Sequence, residues 1–267
     1  VNKKKLYWNS CSFLDNDGFI NQNNSLYKIF NTEANGSHRA SVGGSSNESI
    51  FRRTLIDISK NHFDFALISW SHPERFFVTD IYNDLDYEKL KEDSDRKFFR
   101  TKWNESMYGY KHQIPYHNKD FAEILKLEPK GTDDTIMYTL SLHNFFKQKG
   151  IPHLFLNMGK LDSNVLWARE SWIQFIDPKN YLSLNDNDTI LEKMKFSFVE
   201  YFLNLGGNQF MNDKSVSILK NTHNIDSISE LENANKYTTD IAGHLSDLGY
   251  NTLANYVYEY IIKNNLV

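Results

Sequence analysis

One cysteine, Cys11, stands in 267 residues. An intramolecular disulfide framework is therefore impossible, and thiolate-based zinc sites drop out with it. Net positive charge is also lacking: 30 Lys and Arg against 34 Asp and Glu leave a formal charge of -4, so nothing pulls the chain towards nucleic acid or an anionic membrane. No apolar run approaches the length of a membrane span. Lys3-Lys4-Lys5 precedes a few apolar residues, but Asn9 and Ser10 interrupt them before a signal-peptide core could form. The expectation is a soluble chain that is not exported by a cleaved signal. P-loop, Gly-x-Gly-x-x-Gly and zinc motifs are absent, as are repeats and low-complexity linkers. His112 and His117 flank Pro115 without thiolates or clustered carboxylates, so no metal site and no cofactor is expected.

What is present is an ordinary globular composition, with 40% hydrophobic and 24% charged residues. A chain of this length buries a full core, and one domain with decorations is expected. Aromatic residues reach 15% (19 Phe, 15 Tyr, 5 Trp), which fits either an aromatic-rich core or aromatic-lined clefts.

The pattern of elements predicts an α/β fold. Leu6 to Ser10 is a short apolar strand, and His38 to Val42 a weaker one ending at Gly43-Gly44. Ser49 to Lys60 follows as a helix, with Ile50, Phe51, Leu55 and Ile58 roughly on one face. Asp64 to Trp70 is nearly continuous in apolar residues and too short for a helix, as expected of a strand buried on both faces of a parallel sheet. Asp133 to Lys149 reads as a helix closed by Gly150, and Ile151 to Asn157 as the next strand. This alternation predicts a doubly wound, mainly parallel sheet between two helical layers, with Leu6–Ser10 and Asp64–Trp70 as central neighbours. Arg75 to Lys130 and Gly159 to Tyr237 do not fit the minimal core and read as insertions over the strand ends, the second holding a helix-like stretch from Ile190 to Leu205. The last helix, Asp247 to Lys263, is expected to turn Leu248, Leu253, Val257, Tyr260 and Ile261 inward.

Ser12 lies just past the first strand, Gly43-Gly44 past the second, Ser69-Trp70-Ser71 at the end of the third, and His244 before the last helix. In a doubly wound sheet the strand ends line one crevice. A serine on a small-residue turn there could act as a nucleophile, with a histidine as its base.

In this order the residues resemble the SGNH (GDSL-like) hydrolase family over most of the chain. Ser10-Cys11-Ser12-Phe13 looks like the family's Gly-Asp-Ser-Leu block, and similar Cys-Ser-Phe variants occur in phage and marine bacterial members. Val42-Gly43-Gly44-Ser45-Ser46-Asn47 is similar to the second block, and Gly243-His244-Leu245-Ser246-Asp247-Leu248-Gly249 to the last. The resemblance implies a single flavodoxin-like domain over residues 1–267, with insertions at about 75–130 and 159–237. It also implies a serine esterase acting on small acyl esters, with O-acetyl groups on carbohydrate as a plausible substrate class, and a cytoplasmic or virion-associated setting. Ser12 would be the nucleophile, His244 its base, and the Gly44 N–H part of the oxyanion hole.

Three positions depart from the family pattern. Cys11 replaces the aspartate of the first block, and Asp240 lies one residue further from the histidine than the family's triad acid. The asparagine of the third block is missing, since the third strand is followed by Ser71-His72-Pro73-Glu74-Arg75. An oxyanion donor is worth roughly 10²–10³ in rate, so Asn47 or Ser71 is expected to replace it, unless Asn47 merely caps a helix and Ser71 ends a strand. Trp70 and Arg75 are the expected substrate-binding residues; Glu74 and Arg75 could clamp an anionic or hydroxyl-rich substrate, although a structural ion pair between them is the favoured reading. The same residues could transfer an acyl group to a sugar hydroxyl, and a non-catalytic phage or surface component that kept the fold is the competing class.

Overall fold

The computed structural model describes residues 4–11, 14, 19–20, 25–30, 37–41, 45–73, 77–78, 112–113, 127–205 and 245–267, and the account below concerns these. Their strands are β1 (Leu6–Asn9), β2 (His38–Arg39), β3 (Phe65–Trp70), β4 (Phe77–Val78), β5 (His112–Gln113) and β6 (His153–Asn157). Their α-helices are α1 (Leu26–Ile29), α2 (Asn47–Lys60), α3 (Leu127–Lys149), α4 (Ser163–Ala168), α5 (Glu170–Ile173), α6 (Ile190–Lys195), α7 (Phe198–Leu205) and α8 (Asp247–Lys263).

Four strands form an all-parallel sheet in the order β2-β1-β3-β6. Beyond β6, Tyr181 makes a single parallel bridge to Phe155, and the Leu182 N–H donates to the Phe155 carbonyl at 2.8 Å. The chain thus starts at β1, steps out to β2, then returns across β1 to β3. That reversal sets the switch point between β1 and β3, where adjacent connections leave the sheet in opposite directions and open a crevice at the strands' carboxyl ends. β4 and β5 form a separate antiparallel pair within the stretch expected as the first insertion.

Strand alternation sorts the core into two clusters, one on each side of the sheet. Leu6, Trp8, Phe65, Leu67, Leu154 and Leu156 face α7 and α8. Tyr7, Ala66, Ile68, Trp70 and Phe155 face α2, α3 and α4 to α6. Every residue of β3 is buried, which is why that segment shows no polar alternation.

Several expected elements are redrawn. α2 starts at Asn47, because Ser46 is the cap and its Oγ accepts from the Ser49 N–H at 3.3 Å. α3 starts at Leu127 rather than Asp133; Pro129 lies in the first turn, where backbone N–H groups have no intrahelical partner to lose. The expected Ile190–Leu205 stretch is two helices, since Phe196 is extended and the Ser197 Oγ donates to the Met158 carbonyl at 2.6 Å. Leu248 is 47% exposed, because α8 buries the stripe Tyr250, Leu253, Ala254, Val257, Tyr260 and Ile261, and Leu248 falls on the opposite side of the helical wheel. Residues 159–205, expected as an insertion over the strand ends, build both layers: Ile173, Ile176 and Met194 enter one core and Phe198 and Phe202 the other. Their apolar positions show no clear period because the helices carrying them are mostly only four to eight residues long.

A candidate active site at the carboxyl ends of the parallel strands

Tyr7 pairs with His38 and Asn9 with Ile68. Continued to the strand ends, this register sets Ser41 beside Ser10 and Ser10 beside Ser69. By alternation the three fall on the face of Trp8 and Leu67, the side covered by α8. Their hydroxyls, and that of Ser71, are buried and have no hydrogen-bond partner. Buried polar groups are nearly always paired, and leaving one unpaired costs about 1–3 kcal/mol. Several at one sheet edge mark it as a place not optimised for stability alone.

On the opposite face of β1 the side chains are tied to α2, although the Asn9 Oδ1 has no hydrogen-bond partner. The Asn9 amide donates to the Tyr7 hydroxyl (3.2 Å), the Thr54 hydroxyl (3.0 Å) and the Ile50 carbonyl (3.0 Å), while the Tyr7 hydroxyl donates to Asp57 (3.2 Å). Burial, with Asp57 beside it, pushes the Tyr7 phenol well above its usual pKa, so it serves as a neutral donor. This seam ties β1 to α2. At the end of β2, the Arg53 guanidinium donates to the Ala40 carbonyl.

Asn47 and Ser71 are brought together. The Ser71 N–H donates to Asn47 Oδ1 at 2.7 Å, and Asn47 Nδ2 donates back to the Ser71 carbonyl at 3.3 Å and to Thr135 Oγ1 at 2.8 Å. Thr135 in turn donates to the Gly131 carbonyl at 2.6 Å. Both amide hydrogens of Asn47 are therefore committed, whereas the Ser71 hydroxyl remains free. The turn after β3 is closely packed: a Cβ on Gly131 would stand 1.7 Å from the Pro73 carbonyl oxygen, and one on Gly159 would stand 2.7 Å from the His72 Cα.

Trp70 is wholly buried in the α2/α3 layer, stacked on Phe155 at 6.2 Å and 5° and packed near Tyr138. Its ring therefore presents no face to a ligand. Ser12, Gly43, Gly44, Glu74, Arg75, His117, Asp240 and His244 lie outside the described residues. Residues that bracket Ser12 and the one that follows His244 are described. Cys11 and Leu14, on either side of Ser12, and Leu245, directly after His244, are buried in the same core cluster. The Ser246 hydroxyl then caps α8 by accepting from the Gly249 N–H at 3.2 Å.

Thr135 was not singled out from the sequence, although a signal was available: Thr132, Thr135, Thr139 and His143 recur at spacings of three and four residues and are all fully buried. No helix among the described residues is long and apolar enough to cross a membrane. No protein-family model matches the chain, and neither does any curated protein or solved structure.

Proposed function

We propose that the chain is a serine hydrolase of SGNH type acting on small acyl esters, a class that includes O-acetyl groups on carbohydrate. The observation that carries the reading is the row of partnerless serine hydroxyls along the carboxyl ends of β2, β1 and β3, at the sheet's switch point. Two further facts support it. Cys11 and Leu14, which bracket Ser12 in sequence, and Leu245, which follows His244, belong to one core cluster. The flavodoxin-like strand order is also the one the family resemblance implies.

In this reading the Ser12 Oγ attacks the ester carbonyl while His244 takes its proton, with Asp240 orienting the imidazole. The N–H groups of Ser12 and Gly44 and the hydroxyl of Ser71 hold the oxyanion. Collapse of the tetrahedral intermediate expels the alcohol, protonated by His244. Water, activated by the same histidine, then releases the acid and restores Ser12. Arg75, just past β3, would contact a hydroxyl-rich alcohol portion.

The test is hydrolysis of p-nitrophenyl acetate by the full chain. Ser12→Ala is expected to reduce kcat by about 10⁴–10⁶ and His244→Ala by a comparable factor. Equal turnover by wild type and Ser12→Ala would overturn the assignment.

A further inference from the structure

The Asn47 carboxamide spends all of its hydrogen-bonding hydrogens within the protein. It grips both backbone groups of Ser71 at once, and it does so from the first turn of α2, where Ser46 already provides the cap. The clamp is therefore not needed to start the helix. Thr135 holds the amide from the far side, and the Trp70 carbonyl is taken by the Met158 N–H at 2.9 Å. Gly131 and Gly159 press against Pro73 and His72 with no room for a Cβ. The backbone around Ser71 is thus fixed by α2, α3 and the segment that follows β6, and the only polar group of that residue left uncommitted is its hydroxyl.

We infer that Asn47 is a positioning residue that locks the Ser71 backbone so that the Ser71 hydroxyl serves as a preorganised oxyanion donor. This deepens the serine-hydrolase reading and rests on it. A donor whose backbone is already fixed has only its hydroxyl rotor left to order as the charge develops, which approaches the condition under which such groups contribute most. A clamp that acts only through Ser71 has a distinctive signature: once the hydroxyl is gone, removing the clamp should cost no further rate.

The experiment is a double-mutant cycle on the full chain with p-nitrophenyl acetate, reading kcat, KM and thermal midpoint, with Ser12→Ala as the control. Ser71→Ala is expected to lower kcat roughly 10–10³-fold at nearly unchanged KM, Ser71→Thr to retain most of the activity, and Asn47→Ala to lower kcat within the same range. Asn47→Ala combined with Ser71→Ala should match Ser71→Ala alone within about twofold. Should Asn47→Ala fail to fold, Asn47→Asp and Thr135→Val weaken the same clamp with less change of volume and replace it in the cycle. Multiplying effects in the double variant, or an unchanged kcat in Ser71→Ala, would overturn the inference while leaving a Ser12-dependent hydrolase standing. Turnover insensitive to Ser12→Ala would overturn both.

Discussion

The imidazoles of His143 and His153 meet at 2.8 Å inside the protein, at the amino end of β6 and far along the strand from the serine row. Their proton positions follow from the partners. The Ile151 carbonyl can only accept, so His153 carries its proton on Nδ1 (3.0 Å) and offers Nε2 to the Nδ1–H of His143. The Nε2 of His143 then accepts from the Asp177 N–H at 3.4 Å. Neither ring can gain a proton without breaking this chain. Burial lowers both pKa values, that of His153 to about 4. The folded state thus binds fewer protons than the unfolded chain, whose histidines titrate near 6.5. Stability from this pair is complete above about pH 6.5 and is lost as the pH falls towards 4, by about 3 kcal/mol for His153. Urea unfolding at pH 7 and pH 4.5 measures this loss, which should shrink in His153→Gln. Nitrogen-detected NMR at pH 5.5 should find the His153 ring neutral and protonated on Nδ1; an imidazolium at His153 there would contradict the account.

At the scale of elements, α3 shows how backbone and side chain share one task. Its inward face is partly polar: Thr132 Oγ1 accepts from the Asp162 N–H at 3.0 Å, Thr135 meets Asn47, and His143 meets His153. Its two terminal glycines differ in cause and should differ in cost. Gly150 closes the helix at φ +66°, with the Ile151 N–H donating to the Phe146 carbonyl and the Gly150 N–H to that of Lys147. No atom lies within 4 Å of a Cβ there, so Gly150→Ala should cost about 1–2 kcal/mol from backbone conformation alone. Gly131→Ala collides with the Pro73 backbone and should cost about 3 kcal/mol or more, with a loss of turnover as the Ser71 turn shifts. Denaturant unfolding of the two variants side by side checks the ranking, and equal costs would contradict it.

This element also marks the limit of what the sequence discloses. The strands β1, β3 and β6 were legible because buried parallel strands are apolar throughout, and α8 because its capping serine and apolar stripe are strong local signals. The start of α3 was obscured by Pro129 and Gly131, residues that ordinarily break helices. The tie between Asn47 and Thr135 spans 88 positions, a distance over which no local pattern operates. Trp70 sits beside Ser69 and Ser71 in sequence, yet the pleat sends its ring into the opposite layer.

For the whole molecule, the essential arrangement is a parallel sheet with a core on each side and its polar, partnerless serines gathered at one edge. The partnerless serines and the histidine pair thus lie at opposite ends of the strands. The account's central claim is that this edge holds an activated serine. Labelling the full chain with a fluorophosphonate and mapping the adduct by peptide mass spectrometry tests it most directly, because only a serine with a working base and oxyanion site reacts at a useful rate. The account predicts one phosphonylated residue, Ser12, with labelling abolished in His244→Ala and slowed in Ser71→Ala. A protein that stays unlabelled under conditions that saturate a known serine esterase, or an adduct on any other residue, would contradict it.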